Sequence, residues 1–208
     1  RFVPLDGNIH FPWLGDTDSV LRAISDFLGD PVPAEDGRRL VTVLFTDIVG
    51  STERAAELGD RAWRKLLDRH HALVRREFTK FQGREIDAAG DGFLATFDRP
   101  AKAIQCACTI SDSLCDLGIE IRAGVHTGEC EVMENVIRGI AVHIGSRSMA
   151  NAGAGEVLVT NTVKDMVSGS EIRFEDRGPH KLKGVPGEWR LYAVETGRGK
   201  EEGTQVKK

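Results

Sequence analysis

The chain reads as an α+β sandwich of the ferredoxin-like βαββαβ type, with a helical extension at its N-terminus. Three observations predict this. Short apolar runs with β-type alternation take turns with longer runs at helical spacing. Two strand-like runs, 84–88 and 93–97, are joined directly through Gly90-Asp91-Gly92, a hairpin signal. From residue 39 the pieces come as strand, helix, two-stranded hairpin, helix and strand, the order of a ferredoxin-like unit.

Residues 1–30 stand apart. A loop-like stretch, Leu5 to Trp13, precedes a helix starting at Asp18 with Val20, Leu21, Ile24, Phe27 and Leu28 on one face. Residues 31–37 form a linker by their Pro, Gly and acidic content. The main domain spans 38–195. In its first strand, 39–47, Val41, Val43 and Phe45 alternate with Thr42, Leu44 and Thr46. A long helix, 51–82, breaks near Gly59 and carries Trp63, Leu66, Leu67, His70, Val74, Phe78 and Phe81 at helical spacing. After the hairpin come a helix over 99–117, a strand over 119–128, a short connection and a helix over 139–151. A strand (156–160), a helix (161–167) and two late strands (171–177, 188–194) close the domain. The tail 196–208 is charged and nearly devoid of large apolar residues, which predicts disorder.

The 208 residues suit one domain plus a small extra piece. A hydrophobic fraction of 40% supplies a real core, and a net charge of −4 argues against a nucleic-acid surface. No apolar run approaches the roughly 18 residues of a membrane span. The first residue is Arg1 and no signal peptide is visible, so the reading is a piece of a longer, cytoplasmic protein. Cys106, Cys108, Cys115 and Cys130 lack zinc spacing and read as reduced, buried thiols.

The chemistry concentrates at two aspartates. Asp47 ends the first strand, just before a helix, and Asp91 sits in the hairpin turn. Either alone reads as a turn residue. Together, each flanked by apolar strand, they can hold divalent cations. Ser51 or Thr52 is the natural N-cap of the helix that follows. The free N–H groups there suit a polyphosphate, and Gly50 lets backbone approach closely.

Phe45-Thr46-Asp47-Ile48-Val49-Gly50-Ser51-Thr52, Gly90-Asp91-Gly92, Gly124-Val125-His126-Thr127-Gly128, Gly139–Arg147 and Leu182-Lys183-Gly184 resemble the class III nucleotidyl (adenylate/guanylate) cyclase catalytic domain. The resemblance covers 38–195 and is most similar to the actinobacterial branch, on the run from Leu182 to Arg190. It implies that Asp47 and Asp91, with the Ile48 carbonyl, hold two Mg²⁺ or Mn²⁺ ions per site. It implies that Arg147 stabilises the transition state and that Lys183 binds phosphate. Val49, Gly50, Ser51 and Thr52 are then substrate-binding. It further implies sites shared across a homodimer, with ATP or GTP as substrate, and favours an adenylate cyclase forming 3′,5′-cyclic AMP.

Two positions depart from the family pattern. The transition-state asparagine is replaced by His143, which acts as the second catalytic residue or simply packs on its helix. The base-reading lysine is replaced by Asp87, whose usual aspartate partner has Asn135 or Val136 as nearest counterpart. A carboxylate accepts from the adenine amino group or from guanine N–H groups, so the base stays open here. A weakly active or inactive nucleotide-binding or dimerisation module is the alternative. A diguanylate cyclase is disfavoured, because no Gly-Gly-Asp/Glu-Glu-Phe run occurs. Finally, Gly7–Asp16 and the helix after it are similar to the last segment of α/β-hydrolases, with His10 at the histidine position. No Gly-x-Ser-x-Gly elbow accompanies it, so hydrolase activity is not expected from this chain and His10 reads as a plain loop histidine; either a hydrolase-like domain lies upstream in the full-length protein, or the segment is a relic helix that packs on the main domain.

Overall fold

The computed structural model describes residues 37–133 and 136–196, together with the helical residues Val20, Ala23, Ile24 and Phe27. The expected segment around His10, Asn135 and the tail from Gly197 lie outside the described residues. The chain divides between Arg38 and Arg39 into two units, and the second carries the sheet.

From the last residue of the first unit onward the elements are β1 (Arg38–Ile48), α1 (Ser51–Leu58), α2 (Asp60–Phe81), β2 (Arg84–Ala89), β3 (Gly92–Phe97), α3 (Pro100–Cys115) and β4 (Ile121–Met133). They continue through β5 (Val136–Arg138), α4 (Ile140–Ala150), β6 (Val157–Thr160), α5 (Asn161–Met166), β7 (Phe174–His180) and β8 (Trp189–Val194). The strand order is β2-β3-β1-β4-β6-β8-β7, with β5 paired to the end of β4. The first four strands with α2 and α3 are the expected ferredoxin-like unit, and β6, β8 and β7 widen it. Among the described residues no helix is long and apolar enough to cross a membrane.

Alternation along the strands sorts side chains onto two faces. Leu44, Ile48, Phe93, Ala95, Ile121, Ala123 and Val125 meet Val74 and Phe78 of α2 and Ile104 and Ile110 of α3 in the main core. Val41, Val43 and Cys130 turn the other way and pack with Ala141 of α4. Helix α4 lies very close to the sheet because two glycines meet there. A Cβ on Gly124 of β4 would run into the Met149 amide and stand 2.6 Å from the Gly145 carbonyl oxygen. A Cβ on Gly145 would stand 2.7 Å from Val43 Cγ2 of β1.

The structure moves several expected boundaries. Strand β4 runs on to Met133 and folds back through β5, where a short connection was expected. The apolar alternation simply continues, with Val132 opposite Ile137 and Glu131 opposite Arg138. The first late strand lies at Phe174–His180 rather than 171–177. Asp176 accepts from the Gly178 amide at 2.7 Å and from Arg190, so a bulge carries the strand past Gly178-Pro179. Gly50, not Ser51 or Thr52, is the N-cap of α1, and no side-chain cap bond forms. Its φ of 64° requires a left-handed turn that glycine adopts without cost. All four cysteines are free, but only Cys106 and Cys130 are buried; Cys115 is exposed. Burial pushes the Cys106 thiol up to about 12.

Gly124→Ala and Gly145→Ala should each destabilise the fold by about 1–3 kcal/mol, the cost of overpacking a tight contact. A thermal melt unchanged from wild type in both variants would contradict the close approach of α4.

Acid should also weaken the fold. His70 and His126 are buried, and burial holds each pKa down, from 6.5 to about 4. His126 Nδ1 pairs with Thr160 Oγ1 at 2.8 Å, whereas His70 has no hydrogen-bond partner among the described residues. Between these pH values the unfolded chain binds protons that the folded chain refuses. Stability is therefore full above pH 6.5 and falls as pH drops towards 4. At pH 5 the loss should reach about 2 kcal/mol for each histidine. Urea midpoints measured between pH 7 and 5 check this, and a flat profile would contradict it.

Candidate active site

The two aspartates come together at one end of β1. Thr46 pairs with Phe93, which places Asp47 beside the Gly90–Gly92 turn. The Ile48 amide donates to Asp91 Oδ2 at 3.3 Å. Asp47 and Asp91 are both half-buried. By alternation Asp47 points to the α4 face, opposite to the neighbouring Ile48 side chain in the main core.

Directly beyond them the chain enters α1. Val49 donates its N–H to the Glu120 carbonyl at 2.9 Å, so it has no amide left for a ligand. Ser51 and Thr52 occupy the first turn, where helix N–H groups lack intrahelical partners. Free N–H groups and the positive end of the helix dipole suit an anion there, although Glu53 also lies in that turn.

A second group forms around α4. Arg147 donates from Nε to the Lys183 carbonyl at 3.2 Å, joining the two cations expected to meet phosphate. Leu182 and Val185 anchor the Lys183 loop in a small core with Ile144 and Leu158, leaving Lys183 itself exposed. Trp189 closes that loop with an N–H bond to the Pro186 carbonyl at 3.0 Å. His143 lies one turn before Arg147 and is exposed, so it does not pack in the core. Among the described residues no hydrogen bond or ion pair links this group to the aspartates.

Asp87 reaches the same sheet face through an irregularity. Glu85 lies opposite Ala95 and Asp87 opposite Leu94, with Ile86 bulged between them. Ile86 and Leu94 pack in the α4-side cluster, so the bulge turns Asp87 to that side as well. Asp87 is exposed.

One residue was missed from sequence. Arg122 of β4 donates to Asp47 Oδ2 from Nε at 3.0 Å and from Nη2 at 2.5 Å. A cation between the apolar residues Ile121 and Ala123, two residues before Gly124, was the available signal.

The donor set fits Mg²⁺ or Mn²⁺. It is all oxygen, two carboxylates and the Ile48 carbonyl, which hard cations prefer. Among the described residues no cluster of three or more His, Cys, Asp or Glu side chains forms. An ion here would draw its remaining ligands from water and substrate phosphates, as Mg²⁺ commonly does. It would also have to take the Asp47 oxygen from Arg122.

Comparison with known proteins places this geometry in a family. The family model of the adenylate and guanylate cyclase catalytic domain matches residues 35–196. The chain is 28% identical over 158 residues to putative adenylate cyclase 3 of Rhizobium meliloti (strain 1021), covering 71% of this chain and 27% of that protein. It therefore spans about a quarter of that relative's length. The fold is similar to the adenylyl cyclase CyaB from P. aeruginosa, with a TM-score of 0.71 at 24% identity, covering 76% of this chain and 95% of that one. It is also similar to the guanylate cyclase domain of RhGC from Catenaria anguillulae, with a TM-score of 0.68 at 20% identity, covering 75% and 96%. These two likenesses speak for the fold, and the family match spans most of the sequence: the chain belongs to the adenylate and guanylate cyclase catalytic domains, the class III cyclases.

Proposed function

We propose that the chain is an adenylate cyclase, converting ATP to 3′,5′-cyclic AMP and pyrophosphate at sites shared by the two subunits of a homodimer. The observation that carries this reading is the Ile48–Asp91 hydrogen bond, which sets two carboxylates beside the open end of α1. In this reading Asp47, Asp91 and the Ile48 carbonyl hold two Mg²⁺ or Mn²⁺ ions. Such ions, when bound, lower the pKa of the ribose 3′-OH and offset triphosphate charge.

Gly50, Ser51 and Thr52 cradle phosphate oxygens at the start of α1. Lys183 of the second subunit binds the polyphosphate. The 3′-oxygen attacks the α-phosphorus in line; the bond to the β-phosphate oxygen breaks, pyrophosphate leaves, and the hydroxyl proton passes to solvent. Arg147 of the second subunit donates to the oxygens where charge gathers, and its fork geometry suits them. His143, exposed one turn away, adds a further donor. Exposed Met133, Val136 and Ile140, at 45%, 46% and 52%, form an apolar stretch on the β4–β5 hairpin and the start of α4. A second copy would cover it, which supports the homodimer.

A guanylate cyclase is the second reading, favoured by Asp87. Its carboxylate only accepts, and guanine offers two adjacent N–H donors where adenine offers its amino group alone.

Purified protein with Mn²⁺, offered ATP and GTP separately, should form cyclic AMP in excess. Excess cyclic GMP would select the second reading, and no cyclic product would remove the enzyme assignment. Asp47→Ala and Asp91→Ala should each abolish cyclisation while leaving the oligomer intact by sedimentation; activity retained in either would contradict the two-carboxylate site. Arg147→Ala should lower kcat by about 10²–10³, the usual scale for one lost transition-state donor, with a smaller change in KM. A raised KM with kcat unchanged would make Arg147 a substrate anchor only.

A further inference from the structure

Helix α2 reaches the aspartate end through His71. Its Nε2 lies 2.9 Å from the Gly90 carbonyl oxygen. A carbonyl only accepts, so Nε2 carries the proton and donates. The same ring stands edge-on to Phe93, with centroids 5.0 Å apart and planes at 85°. Gly90 immediately precedes Asp91, and Phe93 lies opposite Thr46, the residue before Asp47. One side chain thus holds the β2–β3 hairpin on both sides of Asp91, and Phe93 carries that contact to β1 through its pairing with Thr46. Among the described residues the Asp91 side chain itself is held by the Ile48 amide at 3.3 Å, which is long for an N–H···O contact. Below this point α2 is firmly seated: Val74 and Phe78 are buried in the main core, and Arg75, one turn after His71, forks onto Glu85 at 2.8 and 2.9 Å. The anchor that His71 offers is therefore rigid.

We propose that His71 is a positioning residue for the divalent-cation site: its hydrogen bond to Gly90 and its contact with Phe93 hold Asp91 in register with Asp47. This rests on the reading of the two aspartates as cation ligands. His71 itself touches neither ion nor nucleotide. Its effect is to spare the site the cost of ordering the Gly90–Gly92 turn whenever a cation binds. Loss of the donor therefore weakens cation binding first. It leaves the chemistry, once the site is filled, nearly unchanged.

The test measures Mn²⁺ binding by electron paramagnetic resonance, with 3′-deoxy-ATP present so that no cyclisation occurs. His71→Phe keeps a ring against Phe93 and removes the donor; His71→Gln keeps an N–H donor. His71→Phe should raise the Mn²⁺ Kd by about tenfold and His71→Gln by less than about threefold, the scale for partners that orient metal ligands. With ATP and saturating Mn²⁺, kcat of His71→Phe should stay within about threefold of wild type, as expected for an effect confined to ligand orientation. His71→Leu removes the same donor with a smaller side chain and replaces His71→Phe if that variant misfolds. Wild-type Mn²⁺ affinity in the donor-less variant, alongside lost affinity in Asp91→Ala, would overturn the role of His71 and leave the proposed function standing. Undiminished Mn²⁺ binding in Asp91→Ala, or none in wild type, would overturn the cation site and this inference with it.

Discussion

Everything at the site is referred to the close contact between α4 and the strands β1 and β4. Gly124 and Gly145 face each other there, and neither position has room for a side chain. A helix held that near the sheet cannot rotate or slide without collision. Its rotation is set with Ala141 and Ile144 inward, so His143 is turned out to solvent. The same contact fixes β4, whose alternation then aims Arg122 towards Asp47. Two residues without side chains thereby orient the charged ones.

Charge balance at the other end follows from the sheet. Asp47 and Asp91 adjoin without a third carboxylate among the described residues, and Arg122 answers one of them. The pair is only partly buried, so its attraction is screened and its worth lies in placement more than in stability. Among the described residues Arg147 and Lys183 form a separate cationic group, tied to one another and not to the aspartates. One chain therefore presents two separate groups of opposite charge. That is the arrangement a two-fold dimer would complete, each anionic end facing the other subunit's cationic end.

Much of this was legible in sequence, for definite reasons. The β1 alternation, the break at Gly59 and the Gly90–Gly92 turn are local signals, and each element they mark is present. The β4–β5 ribbon was not legible, because a hairpin is recognised by its turn and the residues there gave no Asn-Gly or Asp-Gly signal. Gly50 displaced the expected hydroxyl cap because the chain must reverse sharply after β1, a demand on φ that residue preference alone does not express. Arg122 went unread because a single cation in a strand announces no partner; only the pairing of strands far apart in sequence brings it to Asp47. The Ile86 bulge was equally hidden, since a one-residue shift in register leaves composition untouched.

In the proposed function each site joins Asp47 and Asp91 of one subunit to Arg147 and Lys183 of the other. Mixing Asp47→Ala subunits with Arg147→Ala subunits tests it directly. Each variant alone should be inactive or nearly so. A one-to-one mixture that exchanges freely should recover about a quarter of wild-type activity, because half of the dimers are mixed and each keeps one intact site. Exchange demonstrated by labelled subunits, with no recovery of activity, would contradict a shared site.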